Sequence, residues 1–216
     1  AQYFYKIWSV DDYDYYSEGI YSNAITDADT IESLPYFQDF DDDWGHSPLA
    51  PNLWKVVNAD EGTPAWRRQI EYSYSAPACA EGSGNQDDYL VSPPIALPDS
   101  DCRLVWWDKV ENSSQSNTYR VLLSATGSNP ADFSTGLDTI VCTNTSWTRH
   151  QLDISAYKDQ TVYLAFHQYF SASDDSDFAI DNMYVDLMPS GPVAEIDPAG
   201  IDFGTVNVTA MSGTEV

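Results

Sequence analysis

Short strand-like runs recur along this chain, and no stretch repeats its apolar residues with the 3.6-residue period of a helix. Thr161-Val162-Tyr163-Leu164-Ala165-Phe166-His167 is the clearest run, with Val162, Leu164 and Phe166 on one face as a half-buried strand requires. Arg103 to Trp107, Tyr119 to Ala125, Asp138 to Cys142, Thr148 to Ile154 and Phe178 to Leu187 read the same way. Turn residues separate them, at Gly127-Ser128-Asn129-Pro130 and Ser173-Asp174-Asp175-Ser176. Strands at a spacing of roughly 10–20 residues with no intervening helix predict an all-β sandwich or jelly roll.

The ends divide from the middle. Tyr3 to Val10 and Tyr16 to Asn23 flank a polar turn and predict two paired strands over residues 1–27. Two strands cannot close a sandwich. Asp27-Ala28-Asp29-Thr30 is a polar linker, and Pro189-Ser190-Gly191-Pro192 is a second. The main domain is expected over 31–188, and a further β module is expected to start in 193–216, where Ile201-Asp202-Phe203-Gly204-Thr205-Val206 reads as a strand. The chain thus looks like an excerpt of a longer one.

Charge excludes several functions. With 34 Asp and Glu against 9 Lys and Arg, the net charge is −25. Such a surface repels nucleic acid and anionic membranes, which are bound through clustered cations. It attracts hard cations that take oxygen ligands, and it also serves solubility alone. No apolar run reaches the length that spans a bilayer. Cys79, Cys102 and Cys142 match no zinc spacing. They allow one bridge, Cys79–Cys102 or Cys102–Cys142, or three buried thiols, and thiols are the favoured reading.

Catalytic signatures are missing. His46, His150 and His167 are scattered outside any His-Glu-x-x-His spacing, and no Gly-x-Ser-x-Gly elbow occurs. His150 and His167 are expected on the polar faces of their strands. Carboxylate pairs carry no information in a chain with so many acids. The Asp174-Asp175-Ser176-Asp177 knot lacks the glycine and distal glutamate of an EF-hand loop and reads as a turn.

Seven Trp and fifteen Tyr exceed what one core needs. Trp106 and Trp107 are adjacent on a strand and must point to opposite faces. An aromatic platform for a ligand is expected among Trp44, Trp54 and Trp66.

Four segments, in order, carry a family resemblance. Phe40-Asp41 is followed by Trp44 and Trp54. Asp87-Asp88-Tyr89-Leu90-Val91-Ser92-Pro93-Pro94-Ile95-Ala96-Leu97 comes next. Val121 to Phe133 contains Ser124-Ala125-Thr126-Gly127 and then Ala131-Asp132-Phe133, and Ile180-Asp181-Asn182 closes the set. Together they resemble the cleaved-adhesin (choice-of-anchor J) family, MAM-like jelly-roll modules on secreted and surface proteins of Bacteroidetes. The departures are Asp41 for a glutamate, Asp88 for an asparagine and the extra Pro94. The resemblance implies an all-β, MAM-like jelly-roll β-sandwich at 31–188. Residues 1–27 likewise resemble the end of a fibronectin type III module, and 193–216 the start of an Ig-like one.

The resemblance further implies a non-catalytic module on a secreted or cell-surface protein, binding an extracellular protein or glycan. It implies a structural calcium held by Asp41 and Asp181, with Asp39 beside them. Asp39 and Asp41 lie two apart and share a face in an extended segment. Pairing of the domain's first and last strands would bring Asp181 to them. The competing readings are an accessory module of a secreted peptidase or glycoside hydrolase, and a passive spacer.

Overall fold

The computed structural model describes residues 2–7, 20–25, 30–44, 50–51, 53–61, 66–82, 87–112, 116–169 and 177–191. Fourteen strands run in order: β1 (Gln2–Ile7), β2 (Ile20–Ile25), β3 (Tyr36–Gln38), β4 (Lys55–Asn58), β5 (Trp66–Gln69), β6 (Cys79–Gly82), β7 (Asp88–Val91), β8 (Ile95–Ala96), β9 (Cys102–Val110), β10 (Asn117–Ser124), β11 (Thr135–Cys142), β12 (Thr148–Asp153), β13 (Thr161–Gln168) and β14 (Phe178–Leu187). The helical elements among the described residues are two single 3-10 turns, Pro130–Asp132 and Ser155–Tyr157. β1 and β2 pair antiparallel, with Gln2 opposite Ile25 and Ile7 opposite Ile20. The expected module at 193–216, His46 and most of the 174–177 knot lie outside the described residues.

The other twelve strands make two antiparallel sheets of six. One has the order β11-β10-β13-β7-β4, with β8 on β13; the other has the order β12-β9-β14-β6-β5, with β3 on β14. Alternation explains the layering. From β13, Val162, Leu164 and Phe166 point inward and are 0%, 0% and 1% exposed. From β9, Leu104, Trp106 and Val110 meet them; from β14, Phe178, Ile180, Met183 and Val185 do. Burial of these side chains is the main stabilising term.

The core also holds a carboxylate. Asp108 is buried; its Oδ2 accepts from Tyr119 Oη at 2.8 Å, and its Oδ1 lies 2.8 Å from His150 Nε2. Trp106 Nε1 donates to Tyr119 Oη at 2.8 Å. A polar group at this depth needs such partners.

His150 differs from expectation in its facing, and His167 lies on the outer face as expected but is buried there. His150 turns inward and stacks on Trp106 at 5.0 Å. His167 is 5% exposed and stacks on Tyr89 at 3.9 Å, with Nε2 2.6 Å from Asp87 Oδ1. The outer face of β13 is covered by tyrosines, so the imidazole there is shielded from water. All three cysteines are buried free thiols, and burial raises each above the ordinary thiol value.

β3 and β14, the domain's first and last described strands, pair as anticipated, with Gln38 opposite Met183 and Phe37 opposite Tyr184. This pairing positions the acids described next.

Candidate functional site

Two acids lie on either side of one loop. In β14 the register against β9 shifts between Asp181 and Tyr184, and Asn182 adopts φ 48°. A bulge of this kind re-aims a side chain. Asp181 is fully buried; its Oδ2 accepts from the Tyr74 and Ser75 amides at 2.7 and 3.0 Å, and its Oδ1 from the Asn182 amide at 2.7 Å. Ser75 Oγ donates to Asn182 Oδ1 at 2.7 Å. Asp41 holds the far end of the same loop, its Oδ1 accepting from the Ala78 amide at 2.9 Å. It follows Phe40, whose φ of 57° is rare for so bulky a residue. Backbone strain of this kind persists where surroundings over-determine it, and it clusters at functional sites.

Burial pushes the Asp181 carboxyl up to about 7; the Ser75, Asn182 and Tyr74 amides oppose this, and the charge of Asp41 adds to it. Asp41 is raised as well, first by burial, with the Asp39 and Asp42 charges adding and the Ala78 amide and Arg68 opposing. Asp39 stays beside Asp41: its Oδ1 accepts from the Asp41 amide at 3.2 Å. Among the described residues no three acids, histidines or cysteines gather as a metal set. The donors present at Asp41 and Asp181 are hard carboxylate oxygens, which suit Ca²⁺. Backbone carbonyls and water would have to complete its six to eight ligands.

The three tryptophans expected to form a platform are in the core instead. Trp44, Trp54 and Trp66 are 4%, 3% and 1% exposed. Their indole N–H groups find internal acceptors, at Phe40 O (3.4 Å), Tyr36 Oη (2.7 Å) and Asp88 O (3.3 Å), which lets them be buried whole. None of them offers a free ring face to a ligand.

A different set of rings is half-buried on the outer face of the β12-β9-β14-β6-β5 sheet. Trp107 points outward where Trp106 points in, as the alternation required. Tyr74 stacks on Trp107 at 4.8 Å with planes 19° apart, and Trp147 meets Tyr74 edge-on at 6.0 Å. Tyr184 lies 6.2 Å from Trp107. Two cations sit among them. Lys109 Nζ is 4.7 Å from the Tyr72 ring centre and 5.9 Å from that of Trp147. The Arg149 guanidinium is 5.8 Å from the centre of Trp107 and donates to Tyr184 Oη at 3.5 Å. Phe37, 52% exposed and in register with Tyr184, marks the rim. The Trp106-Trp107 pair signalled one outward indole; the loop that brings Tyr72 and Tyr74 to it left no periodic signal.

Beside this face, Glu81 is buried yet accepts from Arg67 and Tyr72, and from Gln69 Nε2 at 2.8 Å. This is a satisfied ion cluster. Among the described residues no hydroxyl or thiol is hydrogen-bonded to His150 or His167, so neither activates a nucleophile there.

Residues 42–185 match the family model described as Cleaved Adhesin Domain. Hemagglutinin A of Porphyromonas gingivalis (strain ATCC BAA-308 / W83) is 26% identical over 151 residues, covering 55% of this chain and 7% of that protein. Among solved structures, the K3 Cleaved Adhesin Domain of Lys-gingipain from Porphyromonas gingivalis W83 is 21% identical with a TM-score of 0.58, covering 70% of this chain and 96% of that one. The CBM22-1 xylan-binding domain of Paenibacillus barcinonensis Xyn10C is 10% identical with a TM-score of 0.50, covering 72% and 95%. At these identities the structural likeness shows a shared β-sandwich fold.

Proposed function

The chain belongs to the Cleaved Adhesin Domain family, and from that premise we propose that it is a non-catalytic extracellular binding module of a larger bacterial surface or secreted protein. Its ligand is a protein or a glycan. The observation that carries this reading is the half-buried cluster of Tyr72, Tyr74, Trp107, Trp147 and Tyr184, in a domain whose other tryptophans between 44 and 106 are wholly buried. Large rings left partly in water cost solvation and are retained where a partner covers them.

In this reading Ca²⁺ is a structural ion at Asp41 and Asp181. Bound there, it supplies positive charge to two carboxylates that burial disfavours in ionised form. The residues themselves hold the 74–78 loop through the Tyr74, Ser75 and Ala78 amides. Asp39 supports Asp41 by capping its amide. The antiparallel pairing of β1 and β2 supports reading residues 1–27 as the end of a preceding fibronectin-like module.

A second reading has one supporting observation: the matched solved structures are named as single domains of Lys-gingipain and of Xyn10C. The chain would then be an accessory module whose catalytic partner lies elsewhere.

The test is the whole chain, fluorescently labelled, on an array of glycans and matrix proteins with millimolar Ca²⁺. Saturable binding to any class supports a binding module. Silence across the array, from protein that melts cooperatively, would reduce it to a spacer.

A further inference from the structure

We propose that the ligand of the Trp107 face is a polysaccharide bearing carboxylate or sulfate groups, contacted by Lys109 and Arg149; this rests on the binding reading above and narrows it.

The first argument is charge. The strands of one sheet carry Arg67, Arg68, Arg103, Lys109 and Arg149, balanced by Glu81, Asp108, Asp153, Asp181 and Asp186, so what matters is which of these cations are left unpaired rather than their number. Arg67 is tied to Glu81 and Asp177, and Arg103 lies 3.8 Å from Asp186. Lys109 is different. It rests against the Tyr72 and Trp147 rings, and among the described residues it pairs with no carboxylate. On so acidic a molecule, a lysine held by rings keeps its charge available to an anion from outside. Ring edges carry the positive part of the aromatic quadrupole and act in the same direction.

The second argument is register. Trp107 stands opposite Arg149 on β12 and Asp181 on β14, and Lys109 follows two residues along β9 on the same face. Cation, ring and cation therefore lie within about 7 Å along a single strand and its neighbour. Trp107 is covered by Tyr74 and Arg149, so the two cations flank a ring cluster whose edges, rather than the face of Trp107, would meet a sugar chain with charged substituents. Gln151 and the Tyr184 hydroxyl are polar neighbours able to meet sugar hydroxyls.

Trp107 lies on β9, which is paired on both sides by β12 and β14, so a ligand reaches it from the sheet face, while the outer edge of β12 is the place where an extended peptide would join.

The test is isothermal titration of the whole chain with heparin, polygalacturonate, dextran and poly-glutamate. The expected result is binding to heparin or polygalacturonate, weakening as salt rises, with dextran and poly-glutamate silent. Which of the two binds distinguishes sulfate from carboxylate. Lys109→Gln should weaken it about tenfold with an unchanged melting temperature, Arg149→Gln should weaken it with some loss of stability, and Lys109→Arg should retain it. Trp107→Ala should also weaken it. Equal binding of dextran, or loss unaffected by Lys109→Gln, would overturn the anionic assignment. Binding of poly-glutamate alone would make the ligand an acidic protein. Silence with all four, alongside a hit on the matrix-protein array, would sink this inference and leave the binding reading intact; silence on both would remove both.

Discussion

Asp181 accepts a hydrogen bond from the Tyr74 amide at 2.7 Å, and the Tyr74 ring stacks on Trp107, the residue that faces Asp181 across the β14–β9 ladder. The acidic site and the aromatic face are therefore joined through one loop residue. Whatever occupies or neutralises Asp181 also fixes the ring that lies against Trp107. Asp41 secures the other end of that loop at Ala78, so the two acids bracket it.

The calcium proposal makes this link measurable. Ca²⁺ added to EDTA-stripped protein should raise the melting temperature by about 5 °C at an ion concentration near a hundred times Kd, because an ion that binds the folded state alone stabilises it by mass action. Asp41→Ala and Asp181→Ala should lose that response. Tryptophan emission should shift on ion binding in the parent protein, through Trp107. Identical melts with EDTA and with Ca²⁺ would remove the ion and leave the acids as loop clamps.

In the stripped protein, pH should act in an unusual direction. Asp181 is raised to about 7 in the folded state, from an ordinary value of 3.8. Between those values the folded state binds more protons than the unfolded one, so stability falls as pH rises from about 4 to about 7. The loss amounts to a few kcal/mol at most. Below pH 4 both states are protonated there, so the contribution is fully present and no longer changes with pH. Urea midpoints at pH 4.5, 6 and 8 should decline in this order, and Asp181→Asn should flatten the decline. A midpoint that rises across this range in the stripped parent would contradict it.

Strand alternation was readable wherever one face of a strand is apolar and the other is not, which is why Val162, Leu164 and Phe166 were assigned correctly and β14 was bounded at Phe178 and Leu187. Alternation says which residues share a face but not what covers that face. His167 lies opposite Tyr89 in the next strand, and only the paired strands reveal the stack that buries it. The same limit applies to the tryptophans. Trp44, Trp54 and Trp66 lie near turns and short strands, and the indoles of Trp54 and Trp66 depend on acceptors from other segments, Tyr36 and Asp88. Asp181 was legible through its Ile-Asp-Asn motif. Its hold on the 74–78 loop was not, because that contact spans 107 residues.

Trp66 and Trp107 should separate structure from binding. Trp66 is buried against Phe178, 5.4 Å away, so Trp66→Ala should cost about 3–5 kcal/mol in urea unfolding. Trp107→Ala removes a half-buried ring and should cost much less while changing ligand response. Equal losses would mean that the outer cluster is core rather than surface.

Gly82 is required by close packing. A Cβ there would sit 2.5 Å from Phe178 Cε1 and 2.8 Å from Gln168 Oε1. Phe178 is fully buried and cannot swing aside, so Gly82→Ala should destabilise the domain by about 1–3 kcal/mol. Chemical denaturation at constant m-value checks this, and an unchanged midpoint would show that the β6–β14 contact is loose.

Tyr119 joins both sheets through one oxygen. On β10 it accepts from Trp106 Nε1 and donates to Asp108 Oδ2, both on β9 of the opposing sheet. Tyr119→Phe keeps the ring that stacks on Phe178 at 4.7 Å but leaves an indole N–H and a carboxylate oxygen without this partner. Unpaired buried groups cost about 1–3 kcal/mol, more for a charged one. The variant should therefore unfold at lower urea with its core volume unchanged. His150 Nε2 still lies 2.8 Å from the other Asp108 oxygen, so the carboxylate keeps one neighbour in the variant. A Tyr119→Phe variant as stable as the parent at pH 8 would show that Asp108 is held without the hydroxyl.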